Sequence, residues 1–190
     1  MTTRFTRNLE QFNTILLLVE NIGGTPVICG GVDSSNPPVV TSTCQGFNRH
    51  SQTWETYHDL RCPRVNAASV ILPCDGSMMI AGGAETVETE VLVKHHGWKA
   101  GEPLPEIRND GGCMLAINDC EVAFIGGDDS TGMPSNSIFI YNCKTKQWRT
   151  HDATLSKFEQ IGYIDCSQSC CLFRYCKIQS SMCAFEESRR

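Results

Sequence analysis

Twelve cysteines and five histidines are the residues of this 190-residue chain best suited to bind metal or exchange electrons. Five of the cysteines, Cys166, Cys170, Cys171, Cys176 and Cys183, crowd the carboxy-terminal stretch. A zinc site needs cysteines two to four residues apart, often with histidine, because four soft ligands must converge tetrahedrally. Cys166-x3-Cys170 and Cys171-x4-Cys176 fit that spacing loosely, and no histidine follows them. His95-His96 is a second metal candidate, but adjacent histidines in a polar turn are ordinarily solvated. His50, His58 and His151 stand apart, near tryptophans or in short turns. Asp128-Asp129-Ser130 and Asp110-Gly111-Gly112 offer oxygens to a cation or a basic partner, although acidic loops are mostly just hydrated. No G-x-S-x-G, H-E-x-x-H or P-loop pattern occurs. The expectation is a chain with no metal, no cofactor and no catalytic residue: not an enzyme.

Cysteine usage also bears on compartment. Twelve cysteines in this length suggest an oxidising environment. The longest aliphatic run, residues 15–19, is too short for a signal-peptide core and lacks a small-residue cleavage site. The composition leans extracellular; a cytoplasmic protein with buried free thiols is the alternative, since a free cysteine packs as a small hydrophobe. The 16 Lys and Arg residues are scattered among 21 acidic ones, for a net charge of −5. Nucleic acid demands a positive patch to neutralise phosphates, so it is not an expected partner. No apolar stretch approaches the roughly 18 residues of a membrane helix, so no membrane association is expected.

The elements that would position any site repeat along the chain. Gly30-Gly31, Gly82-Gly83 and Gly126-Gly127 are each followed by one of the three tryptophans, Trp54, Trp98 and Trp148. The glycine pairs lie 52 and 44 residues apart, a period typical of repeat architectures. Leu60 and Leu104 each fall six residues after a tryptophan, and Arg64 and Arg108 each fall eighteen before a glycine pair. Length varies mainly between glycines and tryptophan, where a loop would sit. Short apolar runs fill the frame at 67–72, 78–81 and 89–93, and again at 113–117, 122–125 and 137–141. Their length and flanking turn residues read as strands, four to a repeat, ending near the tryptophan. The frame places a strand near 15–20 and puts Phe12 in the first arginine slot. Beyond Trp148 it fails, with Glu159 in the arginine slot and no further glycine pair.

A four-stranded unit with an aliphatic run ending in Gly-Gly, then an aromatic, then Trp, resembles the kelch repeat. Phe47 to Trp54 and Tyr141 to Trp148 are both seven-residue steps; the middle repeat has no matching aromatic. The resemblance spans about residues 13–151. It implies an all-β fold, a partial kelch-type β-propeller of about three four-stranded antiparallel blades. Blade 1 would occupy 13–57, blade 2 65–101 and blade 3 109–151, leaving 152–190 as a Cys-rich tail or degenerate fourth repeat. The glycines, Phe47, Tyr141, the tryptophans, Arg64 and Arg108 are then structural. Glycine suits a positive-φ turn or a close backbone approach, the aromatics supply area between blades, and the arginines bond at blade junctions.

The sequence is also similar to secreted invertebrate kelch-type proteins with a Cys-Gly-Gly…Cys pattern, which implies a Cys29–Cys44 disulfide across adjacent strands. Cys62–Cys74 and Cys113–Cys120 are further candidates, and free thiols throughout are the competing reading. Propellers close 4–8 blades into a ring, so three leave two blade faces to cover. Truncation of a longer gene product, dimerisation into a six-bladed ring, and coverage by the tail all answer this. The expected function is a non-enzymatic protein-interaction module, its unidentified partner bound through loops at 32–42, 84–88 and 128–135. The alternative is a self-associating element, a homo-oligomer through open blade faces or a filament. A fragment of a kelch-type enzyme ranks below both, since such copper or sugar-converting sites need a full ring.

Overall fold

The structure is a computed structural model that describes residues 18–152, apart from 84, 94, 95 and 111. It contains three four-stranded antiparallel sheets, each a simple meander. The first holds β1 (Leu18–Ile22), β2 (Thr25–Cys29), β3 (Cys44–Asn48) and β4 (Thr53–Thr56). The second holds β5 (Ala68–Ile71), β6 (Met78–Ala81), β7 (Thr89–Val93) and β8 (Gly97–Ala100). The third holds β9 (Cys113–Asn118), β10 (Glu121–Ile125), β11 (Ile138–Asn142) and β12 (Gln147–Thr150). Among the described residues, strands pair within a sheet and not across sheets, while the first strand of the middle sheet, β5, packs beside both β1 and β9. The described residues are thus all-β, arranged as three propeller blades with their first strands innermost. Leu18 and Val19 of the aliphatic run lie in β1, which extends to Ile22, and the rest of the run lies outside the described residues. The tail, with its candidate cysteines, lies outside the described residues.

Local chemistry sets the hairpins. Gly23 and Gly24 both take positive φ and close β1–β2 as a two-residue turn whose twist matches the flanking strands. Asn48 Oδ1 accepts from the His50 and Ser51 amides, and Asn142 Oδ1 accepts from Lys144 and Thr145. Each asparagine directly follows the aromatic of its repeat, so blades 1 and 3 share one turn. In blade 2 the hairpin is a residue shorter, and Leu92 pairs with Trp98 where Phe47 pairs with Trp54 and Tyr141 with Trp148. The missing aromatic is therefore replaced by leucine, not displaced.

Alternation along the strands builds two inter-blade cores. Val27 and Cys29 of blade 1 meet Met78, Ile80, Leu92 and Trp98 of blade 2. Met79 and Ala81, on the opposite face of the same strand, meet Val122, Phe124, Phe139 and Tyr141 of blade 3. Every side chain of β6 is buried because both its faces are covered. Ala123, Ile125 and Ile140 alternate to the far face of blade 3 and form a cluster of their own.

Candidate functional site

Three equivalent loops follow β2, β6 and β10, and the blade junctions fix where they start. Gly31 N–H donates to Arg64 O at 2.7 Å, and Gly83 N–H donates to Arg108 O at 2.9 Å. Each glycine pair thus binds a main-chain carbonyl of the linker entering the next blade. A Cβ on Gly30 or Gly82 would stand 2.5 Å from that carbonyl oxygen, which is why both positions need glycine. Around Gly126 there is no atom within 4 Å of a Cβ among the described residues.

The arginines reach forward from the same carbonyls. The Arg64 guanidinium is fully buried; it donates to Gly82 O at 2.8 Å and Glu88 O at 3.0 Å, and pairs with Glu90 at 3.0 Å. Glu90 also accepts from the Arg61 and Cys62 amides, so one carboxylate organises the whole linker. Arg108 is equally buried but differs in chemistry. Phe139 fills the position equivalent to Glu90, and the guanidinium carbon lies 4.6 Å from its ring centroid. Arg108 pairs instead with the exposed Glu106 at 3.1 Å.

The tryptophans complete the junctions. Trp98 Nε1 donates to His58 O at 2.8 Å, and Trp148 Nε1 donates to Glu102 O at 2.9 Å. Both acceptors lie four residues past the preceding tryptophan. Phe47–Trp54 meet edge to face and Tyr141–Trp148 at a tilt within their blades, with centroids 5.3 and 5.0 Å apart. Cys29 and Cys44 are register partners on β2 and β3 and are joined by a disulfide. The two further pairings do not form. Cys62 and Cys74 are free, on separate turns, and Cys113 is disulfide-bonded while Cys120 is free.

Two of the loops share a construction that spacing alone did not reveal. In blade 1, Asp33 Oδ1 accepts from Ser35 N, Ser35 Oγ and Val39 N, at 3.1, 2.6 and 2.9 Å. In blade 3, Asp129 Oδ1 accepts from Thr131 N, Thr131 Oγ1 and Met133 N, at 2.8, 2.6 and 3.1 Å. An isolated bridge closes each base, Val32 with Val40 and Asp128 with Pro134. The stretch at 39–43 is thereby folded back onto the loop's start. Hydroxyl and amide donors hold both aspartates below the usual carboxylate range, the serine or threonine hydroxyl most strongly. The readable signal was a hydroxyl two residues after an aspartate, just past a glycine pair.

Each pinned carboxylate fixes the amide of an outward-facing apolar residue. Val39 is 54% exposed and Met133 62% exposed, and they are the exposed large hydrophobics of the described residues. The blade 2 loop is different: Glu88 N donates to Thr86 Oγ1, and its backbone is committed to Arg64. Elsewhere, an open groove of about 490 Å3 on blade 1 runs past Gly46, Phe47, His50, Glu55 and Tyr57. No group of three metal-capable side chains occurs among the described residues. His96 is exposed, and His95 lies outside the described residues.

Comparison with known proteins agrees with this geometry. Residues 125–150 match the Kelch motif, a span covering the end of β10, the pinned loop, β11 and β12. No curated protein matches the chain. Among solved structures, that of YjhT, a kelch-type propeller, is similar with a TM-score of 0.64 at 11% identity. The match covers 75% of this chain and 53% of the other, so the chain spans about half the length of that structure. Strand pairing, glycine-to-carbonyl junctions and motif match converge: residues 125–150 carry a Kelch motif, and the described residues have the fold of three β-propeller blades.

Proposed function

We propose that this chain is a non-enzymatic protein-interaction module that engages its partner through the β2–β3 and β10–β11 loops. The supporting observation is the placement of Val39 and Met133, the outward apolar side chains, on two equivalent loops stiffened by aspartate. Apolar anchors on a rigid scaffold bind with little ordering cost, and loops on such scaffolds commonly carry recognition. The test is affinity capture and cross-linking with the purified chain beside Val39→Asp, Met133→Asp and the double variant. Proteins retained by the parent and lost from the double variant, with unchanged circular dichroism, support the reading. An identical set captured by parent and double variant overturns it.

A further inference from the structure

Three free cysteines sit on turns beside the junction of blades 2 and 3. Cys74 lies in the exposed β5–β6 turn, which is closed by Leu72 N–H to Ser77 O at 2.7 Å and Gly76 N–H to Leu72 O at 2.9 Å. Cys143 begins the β11–β12 turn and is buried in the same apolar cluster as Leu72. Its amide donates to Cys120 O in the β9–β10 turn at 2.8 Å. Cys74 lies against Cys143 across the blade boundary, its thiol and its amide both beside the Cys143 sulfur. Tyr141 and Asp75 are the other titratable groups beside the pair.

We propose that Cys74 and Cys143 form an inter-blade disulfide that locks blade 2 to blade 3 when the protein meets a small-molecule disulfide such as oxidised glutathione. The chain already carries a disulfide within blade 1, so its fold accepts such links. The division of labour follows from exposure. Cys74 is open to solvent and is the entry point. Cys143 is buried and closed to external reagents, so its sulfur meets only its neighbour; burial, then the Cys74 contact, also raise its thiol pKa.

The chemistry balances without a further reagent. The Cys74 thiolate attacks one sulfur of oxidised glutathione; the S–S bond breaks and one glutathione leaves as thiol. Cys143 then gives its proton to solvent and its sulfur attacks Cys74 Sγ, expelling the second glutathione. Two protein thiols are oxidised and one disulfide is reduced to two thiols.

The test treats the full chain with millimolar mixtures of reduced and oxidised glutathione, quenches with acid, and maps chymotryptic peptides by mass spectrometry without reduction. A cross-linked peptide pair carrying Cys74 and Cys143 is expected. The oxidised parent should melt roughly 5–15 °C above the same protein with this pair reduced, from the length of the closed loop. Cys74→Ser, on an exposed turn, should fold normally and show neither the cross-link nor the shift. Cys74 persisting as a glutathione adduct beside an alkylatable Cys143 overturns the proposal. So does a Cys120–Cys143 link, or two thiols that survive the oxidant unchanged.

Discussion

Arg64 Nε stands 3.0 Å from Glu90 Oε1, with both side chains closed to solvent. The pair lies within one repeat, yet it joins the linker that receives blade 1 to the third strand of blade 2. Removing one member leaves a buried charge without its counterion, a loss of about 3–5 kcal/mol. Arg64→Ala should therefore lower the urea midpoint far more than Arg108→Ala. The partner of Arg108 is an exposed carboxylate, and its ring contact is worth about 0.5–2 kcal/mol. Equal losses from the two substitutions would show that the buried carboxylate does not set the difference.

Gly82 and Gly126 hold the same place in successive blades, both at positive φ near 70°. Alanine costs roughly 1–2 kcal/mol at either for the left-handed backbone. At Gly82 it also drives Cβ into Arg108 O and disturbs the Gly83 bond to that oxygen, adding about 1 kcal/mol or more. Thermal unfolding should rank Gly82→Ala clearly below Gly126→Ala, and the reverse order would place the third glycine under a contact of its own.

Glu20 on β1 accepts from Ser69 Oγ of β5 at 2.9 Å, a bond between innermost strands. Burial raises its pKa above the ordinary value near 4.5, and hydrogen bonds from Ser69 and Asn21 oppose that rise only in part. The folded protein thus holds this proton more tightly than the unfolded chain. Stability from the site is complete below pH 4.5 and falls as pH rises through the elevated value. Glu20→Gln keeps an acceptor for Ser69 without the charge. Melting temperatures of parent and variant should diverge in the variant's favour as pH climbs from 4 to 7, and a constant difference across that range would remove the carboxyl from the account.

Asp33 and Asp129 respond in the opposite direction. Their pKa values are depressed, so the loops gain from the ionised form above pH 3.8 and lose that support as pH falls through the lowered values. Amide protection at Val39 and Met133, taken relative to the intrinsic exchange rate at each pH, should fall in acid more than at neighbouring strand amides. Asp33→Asn and Asp129→Asn should abolish that acid response, each in its own loop only. A response that persists in both variants would assign it to another group.

The architecture was legible because its determinants are local and recur. A glycine pair, a tryptophan and an arginine each do one geometric job, and the job returns with every blade, so spacing exposes it. The Cys29–Cys44 link was legible for the same reason, through the pattern around one glycine pair. The loops were harder. Asp129 reads like any hydrated acid until the fold brings the Thr131 hydroxyl and the Met133 amide onto one carboxylate oxygen. Cys74 and Cys143 were illegible as a pair, since 69 residues separate them and only packing of two blades brings them together. Nor did the arginine slot announce that one residue type would use a carboxylate in blade 2 and an aromatic face in blade 3.

The docking of one wedge on the next is read by an oxygen that every amino acid owns. A glycine pair that grips a peptide carbonyl is blind to which side chain the accepting residue bears, so that contact itself survives drift in sequence while the geometry stays put. Chains that retain only 11% of each other's letters can then keep the same stacked outline, and new recognition tips can be grafted onto an unchanged hub.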